Sequence, residues 1–142
     1  MWDSAIIPFV KKYYLTFSRL SLFVVYFWFG ILKLLGNSPA NPLVMALQQK
    51  TIPFLTFQQF IVVFSLYEMI IGILFLFPRF THLAFVLFIL HMVMTLLPLI
   101  LVPSYSWQGF LVPTLEGQYM IKNLILISLA CSILYSTKKK RK

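Results

Sequence analysis

The chain has 142 residues, of which 61% are hydrophobic and only 11% are charged. This balance excludes an ordinary soluble domain of that length and indicates a membrane protein. The net charge of +9 does not predict nucleic-acid binding, because most basic residues lie at segment ends or in the tail at residues 138–142, as in membrane topology signals. We therefore expect the lipid bilayer, and no nucleic acid, as a partner. The single cysteine, Cys131, excludes an intramolecular disulfide.

Residues 1–18 form the first predicted element, an interfacial N-terminal segment that is helical after Pro8 and is not cleaved. The segment contains both aromatic and cationic side chains, as do segments that lie among lipid headgroups. They are Trp2, Lys11, Lys12, Tyr13 and Tyr14. The first membrane span is predicted over residues 19–35, where an apolar run approaches the length needed to cross a bilayer. It ends at a turn predicted from Gly36 and Pro39.

The second and third spans are predicted over residues 58–77 and 82–102, with Pro78 closing the second. Their short linker indicates a tight antiparallel hairpin. Before them, residues 40–56 mix apolar and amide side chains, which predicts a short interfacial helix followed by a bend at Pro53.

The last third of the chain contains a loop, a fourth span and a tail. Residues 103–117 are too rich in Pro and Gly for a helix, and we expect them to fold back onto the mouth of the bundle. The fourth span is predicted over residues 118–135, before a basic cytoplasmic tail at 137–142. The fold class is therefore all-α, a polytopic membrane four-helix bundle in one domain over residues 19–136.

The positions of the basic residues predict the orientation of this bundle. Nine lie on one predicted side, namely Lys11, Lys12, Arg19, Arg79 and the five residues 138–142. Only Lys33, Lys50 and Lys122 lie on the other. By the positive-inside rule both termini face the cytoplasm. We expect an integral protein of a bacterial inner (plasma) membrane.

Glu68 is the clearest polar residue inside a predicted span. A charge near the bilayer centre costs about 2.5 to 3.5 kcal/mol on the insertion scale, so it should face protein or a wet cavity. Ser65 and Gly72 share its helix face and would allow another helix to approach closely. His91 lies at a similar depth in the third span and could reach Glu68. Metal binding is not expected, because these two side chains supply too few ligands for zinc.

All four spans offer polar groups to the same half of the bundle. In span one, five residues share one helix face: Arg19, Phe23, Tyr26, Gly30 and Lys33. The predicted pocket or buried ion-pair cluster consists of Lys33, Glu68, His91, Thr95, Gln118, Lys122 and Asn123. Its mouth is predicted at Tyr105, Trp107, Glu116 and Tyr119. The cluster is either a structural ion pair of Glu68 with Lys33 or Lys122, or a pocket for a polar head or an exchangeable proton. No residue is predicted to be catalytic.

The chain resembles the DoxX-like family of small four-helix integral membrane proteins over about residues 19–136. The resemblance is carried by RLSLFVVYFWFGILKLLG, SLYEMIIGILFLFPR, HMVMTLLP and EGQYMIKNLILI. It implies a four-helix bundle with recurrent polar positions at Lys33, Glu68, Thr95, Lys122 and Asn123. Members of this family have been linked to a thiosulfate:quinone oxidoreductase, to oxidative-stress complexes and to assembly chaperoning.

Three functions remain open from the sequence. The first is a non-enzymatic accessory protein or subunit whose outward-facing pocket binds a partner protein or a lipid-like or quinone-like ligand. The second is a quinone-interacting membrane subunit of an oxidoreductase, for which the aromatic residues at the mouth suit a flat ligand. The third is a proton-coupled transporter of a small solute. A quinone is the only cofactor suggested, and a membrane protein or a second copy of the chain is the expected partner.

Overall fold

The protein is almost entirely helical in a computed structural model that describes the backbone of residues 3–139 and the side chains of residues 6–138. Trp2 and tail residues 140–142, for which predictions were made, lie outside the described residues. The helices are α1 (Asp3–Leu34), α2 (Asn41–Thr51), α3 (Phe57–Leu76), α4 (Thr81–Leu96), α5 (Pro98–Leu101), α6 (Pro103–Ser106) and α7 (Leu115–Lys139).

Four helical stretches of the described chain are long and apolar enough to cross a membrane: Ile6–Leu34, Phe57–Leu76, Pro78–Leu101 and Leu115–Lys138. Backbone polar groups in a bilayer must be satisfied within the spanning segment, which helices of this length achieve. The protein is therefore an integral membrane protein. The prediction of an all-α protein with four helices long and apolar enough to span a membrane is confirmed.

The first helix differs from its prediction. A span was expected to start at Arg19 after a separate interfacial segment, but α1 is continuous from Asp3 to Leu34. At about 1.5 Å per residue this helix is about 48 Å long. Arg19 is buried in its middle rather than marking its start. The helix therefore begins before Pro8, where the sequence predicted helix only after it, and charge patterning could not distinguish a cation at a helix end from one with buried partners.

Local sequence signals explain where the helices begin and end. Gly36 adopts a positive φ of 76°, and hydrogen bonds from its N–H and from that of Asn37 close a Schellman motif after α1. Helix α3 begins with a capping box between Thr56 and Gln59. Proline residues account for the break between α4 and α5, because Pro98 has no N–H to donate. The predicted interfacial helix in residues 40–56 corresponds to α2.

The loop at residues 103–117 is more regular than predicted. It contains the one-turn helix α6 and a two-stranded antiparallel hairpin of β1 (Trp107–Gly109) and β2 (Val112–Pro113). Leu111, with a φ of 57°, lies in the turn between these strands. The prolines and glycines therefore rule out a long helix without preventing local hydrogen-bonded structure. Helix α7 also begins earlier than the predicted fourth span, at Leu115.

Helices α1 and α3 pack most closely, through small residues. A Cβ atom at Gly30 of α1 would lie 2.9 Å from the carbonyl oxygen of Ser65 in α3, so no larger residue fits without movement. Ser65 and Gly72 are both buried, as predicted from their shared face with Glu68. This approach brings the facing polar side chains of the two helices within direct reach of each other.

Candidate functional site

Lys33 and Glu68 form a buried ion pair between α1 and α3. The Lys33 ammonium donates to both carboxylate oxygens of Glu68, with Nζ to Oε1 and Oε2 distances of 2.8 and 2.7 Å. The two residues are only 8% and 5% exposed. Of the two partners left open by the sequence, Lys33 is therefore the one that pairs with Glu68. Paired charges are tolerated within a bilayer where an isolated one is not.

His91 of α4 extends this ion pair into a hydrogen-bonded chain. Its Nε2 lies 3.0 Å from Oε1 of Glu68, and its Nδ1 lies 3.1 Å from the hydroxyl of Tyr26. In the neutral imidazole, Nε2 donates to the carboxylate, since an ionised carboxylate only accepts, and Nδ1 accepts from the tyrosine. The predicted contact between His91 and Glu68 is confirmed. We call Tyr26, Lys33, Glu68 and His91 the Lys33 cluster.

Aromatic rings hold the Lys33 cluster in place. Phe64 stacks on the imidazole of His91, with ring centroids 5.2 Å apart. The ammonium of Lys33 lies 5.7 Å from the centroid of the same Phe64 ring, a cation–π arrangement. The Phe64 ring therefore orients the His91 imidazole and the Lys33 ammonium together. All members of the cluster lie on helices rather than on loops.

An interhelical cavity of about 880 Å³ lies beside the Lys33 cluster. Lys33, Glu68, His91 and Tyr26 form part of its wall, and α2 contributes Leu43, Val44 and Leu47 on another side. Most of the remaining lining is apolar, including Val25, Phe29, Leu97, Ile125 and Leu126. Its size and its few convergent polar groups match those of small-molecule sites.

The cavity also brings together most of the other polar residues predicted for the site. Thr95, Asn123, Lys122, Glu116 and Tyr119 all line it. The amide nitrogen of Asn123 lies 3.5 Å from the Thr95 hydroxyl, which joins α7 to α4 across the cavity. Lys122 points its ammonium over the ring of Tyr119, 5.3 Å from the centroid. It forms no ion pair with Glu68 or with any other described residue.

Three predicted residues lie outside the cavity. Gln118 is exposed and does not line it. Tyr105 and Trp107 belong to the loop segment and pack elsewhere, with the indole nitrogen of Trp107 donating to the carbonyl of Leu99 at 2.9 Å. The loop therefore covers the α4 and α5 end without contributing these aromatic side chains to the mouth of the cavity.

Helices α1 and α7 both contribute exposed side chains to the lining of the cavity. Three of these residues are more than half exposed: Phe29 of α1 at 52%, and Tyr119 and Ile125 of α7 at 61% and 69%. At their other ends the same helices are joined by a hydrogen bond from Tyr14 to Ser136 at 3.0 Å. The cavity is therefore open sideways, between two membrane-spanning helices.

A second buried cation lies at the joined end of the bundle. The Arg19 guanidinium donates to the carbonyl of Phe75 and to the hydroxyls of Thr81 and Thr137, at distances of 2.7 to 2.8 Å. Its Nε has no hydrogen-bond partner among the described residues. We call Arg19, Thr81 and Thr137 the Arg19 cluster. This role of Arg19 was not predicted from the sequence, although the helix face that it shares with Tyr26 and Lys33 indicated it.

Within residues 6–138, no group of three or more His, Cys, Asp and Glu side chains could hold a metal ion. Comparisons with protein-family models, with curated proteins and with solved structures found no match to this chain.

Proposed function

We propose that this protein is a small membrane accessory protein or subunit, without catalytic activity of its own, that binds a lipid-like molecule in the interhelical cavity. The observation that carries the proposal is a cavity of about 880 Å³ with mostly apolar walls and the Lys33 cluster on one side. The apolar chain of the ligand would lie against the walls formed by Leu43, Val44 and Leu126. The polar part would reach the few hydrogen-bonding groups, which fix orientation in such sites.

The gap between α1 and α7 supports a ligand that comes from the bilayer. Phe29 and Ile125 are exposed there toward the position of the lipid chains. A molecule dissolved in the membrane would pass between these helices without entering water, which favours an amphiphile over a soluble solute. The ligand would be held for a membrane protein partner or for a second copy of this chain.

The proposal includes the orientation of the protein in the membrane and its family membership. The excess of basic residues near the ends of the chain supports termini on the cytoplasmic side of a bacterial inner membrane. The cavity would then open in the outer half of the bilayer. The motifs around Lys33, Glu68, His91 and Lys122 support membership of the DoxX-like family.

The test is to block the gap without disturbing the core. Ile125→Trp places an indole at the cavity opening, and Leu124→Trp is the matched control, because Leu124 is 60% exposed on the same helix but does not line the cavity. Both variants should purify in mild detergent with unchanged thermal stability. We expect Ile125→Trp to lose most of the co-purifying lipid, measured by mass spectrometry of extracts, while Leu124→Trp retains it. Equal lipid content in both would contradict the proposal.

A quinone is the second candidate ligand, favoured by the hydrogen-bonded chain from Tyr26 through His91 to Glu68 along the cavity wall. Reduction of a quinone takes two electrons and two protons. In this candidate function a partner oxidoreductase supplies the electrons and the Lys33 cluster exchanges protons with the ring oxygens. Purified protein should retain quinone, and His91→Phe should slow quinol turnover by a co-expressed oxidoreductase. Absence of quinone from extracts, with turnover unchanged, would eliminate this candidate.

A further inference from the structure

Two oppositely charged residues of α7, Lys122 and Glu116, line the cavity without an ion-pair partner. Both are exposed, and neither forms a salt bridge with any residue in the described part of the chain. They differ in this respect from Lys33 and Glu68, which neutralise each other at 2.7 Å. The unsatisfied charges of the cavity are therefore one cation and one anion.

Their order along α7 gives these two charges different depths. Glu116 lies in the first turn of the helix, and Lys122 follows six residues later, about 9 Å further into the bundle at 1.5 Å per residue. Lys122 lines the cavity among mostly apolar residues, and its ammonium lies over the Tyr119 ring. A cation at that depth is costly unless an anionic group accompanies it.

We infer that the bound molecule is a zwitterionic phospholipid, whose phosphate contacts Lys122 and whose ammonium contacts Glu116; this inference rests on the proposed function. Lysine binds phosphate as a point charge, and the amide of Asn123 next to it supplies a further donor. The ammonium of such a headgroup lies nearer the membrane surface than the phosphate, in the same order as Glu116 and Lys122. An acidic lipid would leave Glu116 unpaired, and an uncharged lipid would leave both residues unpaired.

The experiment measures lipid binding to the full-length protein by native mass spectrometry. Phosphatidylethanolamine, phosphatidylglycerol and diacylglycerol with identical acyl chains are titrated separately. We expect phosphatidylethanolamine to bind most tightly, and Lys122→Gln to weaken it about tenfold, the loss expected for a hydrogen bond to a charged group. Glu116→Gln should remove the preference for phosphatidylethanolamine over phosphatidylglycerol. Lys12→Gln is the matched control, because Lys12 also lies over a tyrosine ring, 5.0 Å from that of Tyr13, but far from the cavity.

Each result either supports or overturns the inference. It is overturned if phosphatidylglycerol or diacylglycerol binds as tightly as phosphatidylethanolamine, or if Lys122→Gln behaves like Lys12→Gln. In that case, loss of lipid in Ile125→Trp would still support the proposed function with another ligand class. Unchanged lipid content in Ile125→Trp would instead remove the proposed function itself.

Discussion

The Arg19 cluster and the Lys33 cluster bury a cation on the same face of α1 by different means. Fourteen residues separate the two cations, or about 21 Å along the helix. Arg19 has only neutral acceptors, contributed by α3, α4 and α7. Lys33 is satisfied by both oxygens of one carboxylate on the adjacent helix α3. The first cluster therefore requires all four spans to converge, and the second does not require α7.

This difference explains why the bundle is closed at one end and open at the other. At the closed end Thr137 of α7 must approach Arg19, and the hydrogen bond from Tyr14 to Ser136 joins the same two helices. At the open end the ion pair and His91 occupy α1, α3 and α4 alone. Helix α7 is free to diverge there, and its polar residues face the cavity instead of the Lys33 cluster. The location of the cavity thus follows from which helices supply the hydrogen-bond acceptors of each cation.

The largest expected effect comes from removing the carboxylate of the Lys33 cluster. Glu68→Leu leaves the Lys33 ammonium buried without a counter-ion, and we expect the free energy of unfolding to fall by about 4 kcal/mol. The double variant Lys33→Met with Glu68→Leu should recover most of this loss, because replacing both charges leaves no unpaired ion. The free energies of unfolding of both variants are measured by titrating a denaturing detergent into mixed micelles. A double variant as unstable as the single one would show that the ion pair is not the cause.

A smaller loss of stability is expected when Arg19, at the closed end of the bundle, is replaced. Arg19→Ala removes three hydrogen bonds that connect α1 to the other spans, and should lower the free energy of unfolding by about 3 kcal/mol. Arg79→Ala is the matched control, because Arg79 is an exposed arginine in the neighbouring α3–α4 turn and should cost less than about 0.5 kcal/mol. The same detergent titration compares them. Equal effects would mean that the buried contacts of Arg19 do not hold the helices together.

The smallest expected effect concerns the contact between α1 and α7. Tyr14→Phe deletes the exposed hydrogen bond to Ser136 and should cost about 0.5 kcal/mol, at the low end for a neutral hydrogen bond. Tyr13→Phe is the control, because the structure gives the Tyr13 hydroxyl no hydrogen bond with the described residues. A double-mutant cycle of Tyr14→Phe with Ser136→Ala isolates the pair. A coupling energy of zero would show that the closed end depends on the Arg19 cluster alone.

Much of the candidate site was predictable from helical periodicity. Glu68 with Ser65 and Gly72 on its face, and His91 in the next span, indicated an inward polar contact that the structure contains. The choice of Lys33 over Lys122 as the partner of Glu68 was not predictable. Periodicity assigns residues to a face of one helix, whereas the choice between two lysines depends on how closely neighbouring helices approach.

The amino-acid sequence by itself determines four membrane-spanning helices, because long apolar segments in a bilayer must satisfy their backbone hydrogen bonds internally. It also determines that their rare charges face inward, because unpaired charge in lipid is costly. Only the tertiary structure decided that Arg19 is buried, that Lys33 pairs with Glu68, and that exposed residues of α1 and α7 line a cavity beside this pair. These outcomes depend on contacts between helices, such as Gly30 against Ser65, because such contacts set the distances between neighbouring helices. The residue pattern of a single helix does not specify those distances.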